Sequence, residues 1–383
     1  MSLDRRVLVF AIAGSSLLAA CRGAGARTDF DAAGHNPAVV ITAQRETYVV
    51  YVDDARRLVH QRVGDTAAVA ISPAGDAVDL RGENAPIFVE RGDGALLVVY
   101  PVAVRGGGKH HSASELRAQL SRDGGRSWSA PHRIDGDAAP RSHNFADLAL
   151  TRGGDGVVSW LDSRAGQQGV QTAVLHSDLT VAPVQTADAK SCQCCRTALF
   201  AASNGELWLA WRDLSEGNVR NIAYAVSGGV GEPFAPRGDV ADDRWSINGC
   251  PESGPRFAET ADGTVLLAWL NGAENAIEIA AAPRGGRLEK RAAVVAGAVN
   301  HPDIGTLPDG RLAVFYESFR GGKRAVDMRV SDGAHARWSA AKTIADDGMM
   351  PRYVRRGADA RLSYTSMSDG KPRVHIVDIE GMQ

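Results

Sequence analysis

From about position 35 onward, short apolar runs alternate with glycine-rich polar turns, and one pattern keeps returning. Each copy has a short apolar strand, a turn on Asp-Gly or Asn-Gly, and a second apolar strand ending in an aromatic residue. Asp93-Gly94 leads into Leu96 to Tyr100, and Asp155-Gly156 into Val157 to Trp160. Asn204-Gly205, Asp262-Gly263 and Asp309-Gly310 lead likewise to Trp211, Trp269 and Tyr316. The first copy, Asn36 to Tyr51, has no such turn dipeptide, and the last, Met350 to Tyr364, is weaker. Copies begin near positions 37, 86, 145, 196, 251, 302 and 351. That spacing fits one four-stranded sheet per copy. A lone sheet of this size leaves an apolar face uncovered, and radial stacking covers it. No segment of the mature chain carries a long amphipathic helix. The expectation is an all-β chain, a single β-propeller of about seven four-stranded antiparallel blades over residues 35–383. Six blades is the alternative if the first and last copies merge into one.

Composition narrows the function classes. The chain has 383 residues and a formal net charge of −2, which leaves no basic footprint for nucleic acid. With 44% hydrophobic residues and 42 glycines, it reads as folded and rich in turns.

Residues 1–21 have the pattern of a processing segment. Arg5 and Arg6 form a positive start, and the apolar run Val7 to Ala20 is short for a membrane span. It ends in Leu18-Ala19-Ala20-Cys21. This resembles the bacterial lipoprotein box, which implies cleavage before Cys21 and lipidation of its sulfur. The chain would then be exported and held to a membrane by its N-terminal lipid. Arg22 follows, and in a cell with two membranes the resemblance implies the outer membrane, facing the periplasm. Residues 22–34 read as a flexible tether.

Ser121-Arg122-Asp123-Gly124-Gly125-Arg126-Ser127-Trp128 fits the pattern S-x-D-x-G-x-x-W at every fixed position. Ser121, Asp123, Gly125 and Trp128 thereby resemble an Asp-box, with worn copies at Ser227 to Phe234 and Ser331 to Trp338. The chain is similar to the sialidase-like BNR/Asp-box propellers. That resemblance implies fold and leaves activity open. A narrower likeness is to bacterial exported proteins that combine a C-x-C-C segment with a later G-C-P-x-x-G-P. Here these are Cys192-Gln193-Cys194-Cys195 and Gly249-Cys250-Pro251-Glu252-Ser253-Gly254-Pro255.

In a propeller the residues just before each innermost strand gather at one mouth of the central channel. Those positions hold His35, Glu83 with Asn84, His143, Cys194 with Cys195, Cys250, His301, and Met349 with Met350, with Cys192 close by. Cysteine, histidine and methionine are soft to borderline donors suited to copper. A leading expectation is therefore a metal site in an envelope protein, with a metal donor or acceptor protein as partner. Exported cysteines also form disulfides, and four allow three pairings. Cys192 with Cys195 and Cys194 with Cys250 is one of them. A scaffold with only structural disulfides is a further alternative.

The other alternative is a sialidase-type glycoside hydrolase. Catalytic sialidases clamp a carboxylate with three arginines and use a Tyr–Glu nucleophile pair. Arg196, Arg256 and Arg352 lie at inner-strand starts, and Tyr353 and Glu317 are the weak nucleophile candidates. The family's Arg-Ile-Pro is absent; His35-Asn36-Pro37 stands in its place. Pairing of the arginines with Asp147, Glu252 and Asp303 is the plainer reading. Likewise, Asp162 with Arg164, and Arg212 with Asp213, read as Asp–Arg pairs that hold blades together.

Overall fold

A computed structural model describes residues 28–379, apart from 109–110, 152, 165 and 333–336. The processing segment, Cys21 and the start of the expected tether lie outside these residues. The described chain forms seven antiparallel sheets, and each is one blade. The innermost strands are His35–Ile41, Ile87–Glu90, His143–Leu150, Ala198–Ala201, Arg256–Glu259, Val299–Thr306 and Met349–Arg356. Each neighbours the next, and the last returns to the first, so the ring closes. Blade 2 gains a fifth strand, Ala77–Val78, paired to its second.

Closure comes from the N-terminus. Thr28–Ala33 pairs antiparallel with Lys371–Asp378 and becomes the outermost strand of blade 7. The stretch expected to be tether is thus ordered sheet from Thr28 onward. Its alternation explains why: Phe30 is buried while Asp29 and Asp31 point outward. Joining the two ends of the chain in one sheet leaves seven blades, not six.

Seven apolar clusters fill the seven blade–blade interfaces. Between blades 3 and 4, for example, Val157, Leu161 and Val170 meet Leu199, Leu209 and Trp211. Between blades 7 and 1, Phe30, Val374 and Ile376 meet Val49, Tyr51 and Val59. Period-two alternation gives every strand two faces, and each face packs on a different neighbour. Burial of this kind supplies about 25 cal/mol per Å² of apolar surface.

The Asp-box sits at the turn after the third strand of blade 2, as expected. Ser121 Oγ accepts the Gly125 amide at 2.8 Å, and Asp123 Oδ1 accepts the Ser127 amide at 2.9 Å. Gly125 has φ 86°, and a Cβ there would stand 2.0 Å from the His60 ring. Trp128 packs into the cluster between blades 1 and 2, edge-on to His60. At the Ser331 copy, Ser331 and Trp338 form an antiparallel bridge.

A recurring irregularity shapes the channel mouth. In blades 1, 3, 6 and 7 the inner strand shifts register near its start. One non-glycine residue there takes positive φ: Asn36 at 48°, Phe145 at 55°, His301 at 43° and Met350 at 54°. Left-handed backbone at a side-chain-bearing residue costs roughly 1 kcal/mol. The bulge re-aims the side chains that follow it. Two residues on, Ala38, Asp147, Asp303 and Arg352 pair across to the second strand in equivalent register.

Candidate functional site

The two cysteine motifs come together between blades 4 and 5. Cys194 and Cys250 form a disulfide across 56 residues of chain. Cys192 and Cys195 are free thiols, and their sulfurs lie 3.4 Å apart. Cys192 Sγ also lies 3.9 Å from Cys194 Sγ. Of the two expected pairs, one is therefore a disulfide and the other a dithiol in contact.

The segment is held by its backbone. The Cys192 amide donates to the Arg212 carbonyl at 2.9 Å, and the Ser191 amide to the Gln168 carbonyl at 2.8 Å. Cys192 and Cys195 are each only 1% exposed, within the apolar interface of blades 3 and 4. Cys250, by contrast, is exposed. A hydrogen bond from the Cys195 thiol holds the Cys192 thiol below the ordinary thiol range, and the Cys194 amide, Arg212 and Arg220 add to it. Burial first, and then Cys192, push the Cys195 thiol well up. One of the pair ionises readily and the other keeps its proton.

Two residues whose partners the sequence did not reveal fix this geometry. Glu83 is buried, and its Oε2 accepts the Gly254 amide at 2.6 Å and the Arg196 amide at 3.3 Å. It thus ties G-C-P-x-x-G-P to the residue after C-x-C-C. Burial opposes its charge, but Arg256, His301, Arg352 and the Gly254 amide outweigh burial and lower its pKa. Gly254 is needed for the close approach, because a Cβ there would lie 2.2 Å from the Arg196 carbonyl oxygen. Arg212 is the second. Its guanidinium donates to the Ser253, Arg220 and Leu270 carbonyls at 2.9–3.1 Å and stacks on Trp245. The expected pairing with Asp213 is replaced by these carbonyl bonds. Asp162 and Arg164 do pair, at 2.6 Å, and Arg164 also reaches the Asp135 carbonyl in the neighbouring blade.

The expected ring of mixed donors does not gather at the sulfurs. Cys192, Cys194 and Cys195 place their sulfurs within 4.8 Å of one another, and no His, Asp or Glu joins them among the described residues. His301 Nδ1 lies 2.8 Å from Glu317 Oε1, and its Nε2 lies 2.8 Å from the Glu252 carbonyl. Burial disfavours the His301 cation, yet Glu317, Glu83 and the Glu252 carbonyl outweigh it and raise the imidazole's pKa. His143 Nδ1 sits 2.6 Å from the Ser114 carbonyl, and its Nε2 faces Asp137 at 3.3 Å. Met350 uses its amide, which donates to Glu317 Oε1 at 2.6 Å. His35 is half-buried, and burial lowers its pKa. A shared place in the repeat fixes these backbones but sends the polar ends to different partners.

The three arginines do converge. Arg196, Arg256 and Arg352 line one axial cavity of about 240 Å³ with Asp147, Asp303, Tyr353 and Phe88. Arg196 Nη2 meets Asp147 Oδ1 at 2.8 Å, while its Nε and Nη1 are buried without a partner. Arg256 and Arg352 have no ion pair among the described residues. Asp303 is occupied by the Ile304 and Tyr353 amides, and Asp147 by those of Leu148 and Leu199. Burial, followed by the charges of Arg196 and Arg256, drives the Arg352 pKa well down. Of the expected pairings, only Arg196 with Asp147 forms.

The nucleophile pair is not assembled. Tyr353 OH donates to the Thr306 carbonyl at 3.0 Å, and its ring stacks on Phe315. Burial raises the Tyr353 pKa. Glu317 is spent on His301 and the Met350 amide, with Arg324 at 3.5 Å.

No family model matches the chain, and no curated protein does. Solved structures do. A Hadza microbial sialidase, Hz136, aligns at 11% identity and TM-score 0.56, over 88% of this chain and 74% of that one. An α-L-arabinanase from Penicillium chrysogenum aligns at 16% identity and TM-score 0.52, over 80% and 98%. A protein of unknown function from Dyadobacter fermentans aligns at 16% and 0.52, over 93% and 99%. At these identities the likeness concerns fold alone. Blade count, Asp-box turn and these neighbours together make the chain a seven-bladed, sialidase-like β-propeller.

Proposed function

We propose that the protein is an exported, lipid-anchored propeller that binds a soft metal ion, copper above all, at its sulfur cluster and handles it in the cell envelope. The observation that carries this reading is the placing of three cysteine sulfurs within 4.8 Å, one of them bonded to a fourth. Reduction of Cys194–Cys250 turns the cluster into four thiol donors on two rigid blades. An all-sulfur set favours Cu(I) over hard cations. Donors held by a folded core need little rearrangement on binding. A metal donor or acceptor protein would meet the site at the exposed Cys250 side.

Competition titration tests it: reduced protein is titrated with Cu(I) against a chromophoric chelator. Wild type is expected to take about one equivalent, and Cys192→Ser and Cys195→Ser to lose at least tenfold in affinity. Equal affinity in all three proteins would refute the reading.

A second reading rests on a different observation, the partnerless Nε and Nη1 of Arg196 beside Arg256 and Arg352. Three guanidinium groups at one cavity suit an anionic ligand such as an acidic sugar. Hydrolysis is the weaker half of that reading, because Tyr353 and Glu317 are bonded to other groups. A fluorogenic sialoside should bind without being turned over, and turnover lost in Tyr353→Phe would establish the hydrolase instead.

A further inference from the structure

The free dithiol and the disulfide are in contact, and their exposures are opposite. Cys192 and Cys195 are 1% exposed and Cys194 is 7% exposed, whereas Cys250 faces solvent with Asn248 and Gly249. Cys192 stands between the others, 3.4 Å from Cys195 and 3.9 Å from Cys194. No outside thiol reaches Cys192 or Cys195 through the apolar interface of blades 3 and 4. Among the described residues, the only sulfur path from the buried pair to solvent runs through Cys194–Cys250.

We infer that the four cysteines carry out an internal thiol–disulfide exchange that moves the oxidised bond from Cys194–Cys250 to Cys192–Cys195 and so delivers a reactive thiol at Cys250. In the first step the Cys192 thiolate attacks Cys194 Sγ. A Cys192–Cys194 bond forms, the Cys194–Cys250 bond breaks, and the electron pair leaves on Cys250 Sγ, which takes a proton. In the second step Cys195 Sγ attacks Cys192 Sγ and gives up its proton as the bond forms. The Cys192–Cys195 bond forms and the pair leaves on Cys194 Sγ, which is protonated in turn. One disulfide and two thiols exist before and after, so no outside oxidant or reductant is needed. Exchange of this kind passes through contact between an attacking sulfur and a disulfide sulfur, the arrangement found at Cys192 and Cys194. The freed Cys250 can then attack a disulfide on a partner, or hand its electrons back. This inference does not rest on the metal reading, and its test is run with chelators for copper and zinc present.

The test uses the mature protein with one disulfide, prepared by complete reduction and return of one equivalent of oxidised glutathione. Native protein is incubated with iodoacetamide, then acid-quenched, denatured in excess maleimide and digested with trypsin. Cleavage after Lys190, Arg196, Arg244 and Arg256 gives peptides 191–196 and 245–256. Cys194–Cys250 links them; Cys192–Cys195 leaves them separate, with iodoacetamide label on Cys250. In wild type the linked fraction should fall with time as labelled Cys250 accumulates. In Cys192→Ser the linked fraction should stay constant. Cys195→Ser should stop at a Cys192–Cys194 peptide with Cys250 labelled. A linked fraction that persists unchanged in native wild type, while the same protein in urea exchanges, would overturn the inference. A fall of equal rate in Cys192→Ser would overturn it too.

Discussion

Glu83 accepts the Gly254 amide at 2.6 Å, across 171 residues of chain. Through this one carboxylate, blade 2 positions both cysteine motifs of blades 4 and 5. Glu83→Ala strands two buried amides and the positive charge around them. Removing one partner of a buried charged network costs about 3–5 kcal/mol. Urea unfolding should show a loss of that order, with Glu83→Gln losing less. A loss under 1 kcal/mol for the alanine variant would mean that the motifs are held by other contacts.

The same residue sets a pH dependence. Glu83 is held below its unfolded value, so its contribution is fully present above that value, about 4.3. It is lost as pH falls through the lower, folded value. Wild type should therefore lose stability relative to Glu83→Gln as pH drops below about 4.3. Parallel stability curves for the two proteins would show that folding does not lower the Glu83 pKa.

Gly254→Ala places a methyl group 2.2 Å from the Arg196 carbonyl oxygen, against backbone that cannot rotate away. Overpacking of this kind costs about 1–3 kcal/mol. The variant should unfold at lower urea and react faster at Cys192 with a maleimide, because blades 4 and 5 must part. Unchanged thiol reactivity would count against that coupling.

The Cys194–Cys250 bond closes a loop of 56 residues. Loop-closure entropy for that length gives about 4 kcal/mol. The double variant Cys194→Ser/Cys250→Ser should lose an amount of that order under non-reducing conditions and very little beside reduced wild type. Equal stability of oxidised and reduced wild type would remove the bond from the stability of the fold.

Arg352 is half-buried beside the like charges of Arg196 and Arg256, and Arg352→Met should raise the stability of the ligand-free protein by about 1 kcal/mol, since apolar replacement relieves that repulsion and the cost of desolvation. It should also abolish any rise in Tm produced by acidic sugars. A variant that is less stable and keeps the ligand response would place the anion elsewhere.

What the sequence made legible was what is local or periodic. The Asp-box from Ser121 to Trp128 lies within one turn, so its residues dictate the hydrogen bonds without help from the rest of the chain. The blades are legible because Asp-Gly turns and terminal aromatics recur. Closure by Thr28–Ala33 was missed because six residues beside a glycine-rich stretch carry little pattern, and only Phe30 between two aspartates hints at it. The roles of Glu83 and Arg212 were not legible for another reason. Their partners are backbone groups, Gly254 N and the Ser253 carbonyl, and no side-chain motif marks a carbonyl or an amide. The histidines misled because the repeat places their Cα atoms alike, whereas Glu317 captures His301 and Asp137 faces His143.

X-ray absorption at the copper edge of reduced, Cu(I)-loaded protein tests the sulfur site most directly. The expected result is a first shell of sulfur alone, with no imidazole scattering, lost in Cys192→Ser/Cys195→Ser. A shell containing histidine nitrogen, or a spectrum identical in the double variant, would contradict a metal site built on Cys192, Cys194, Cys195 and Cys250.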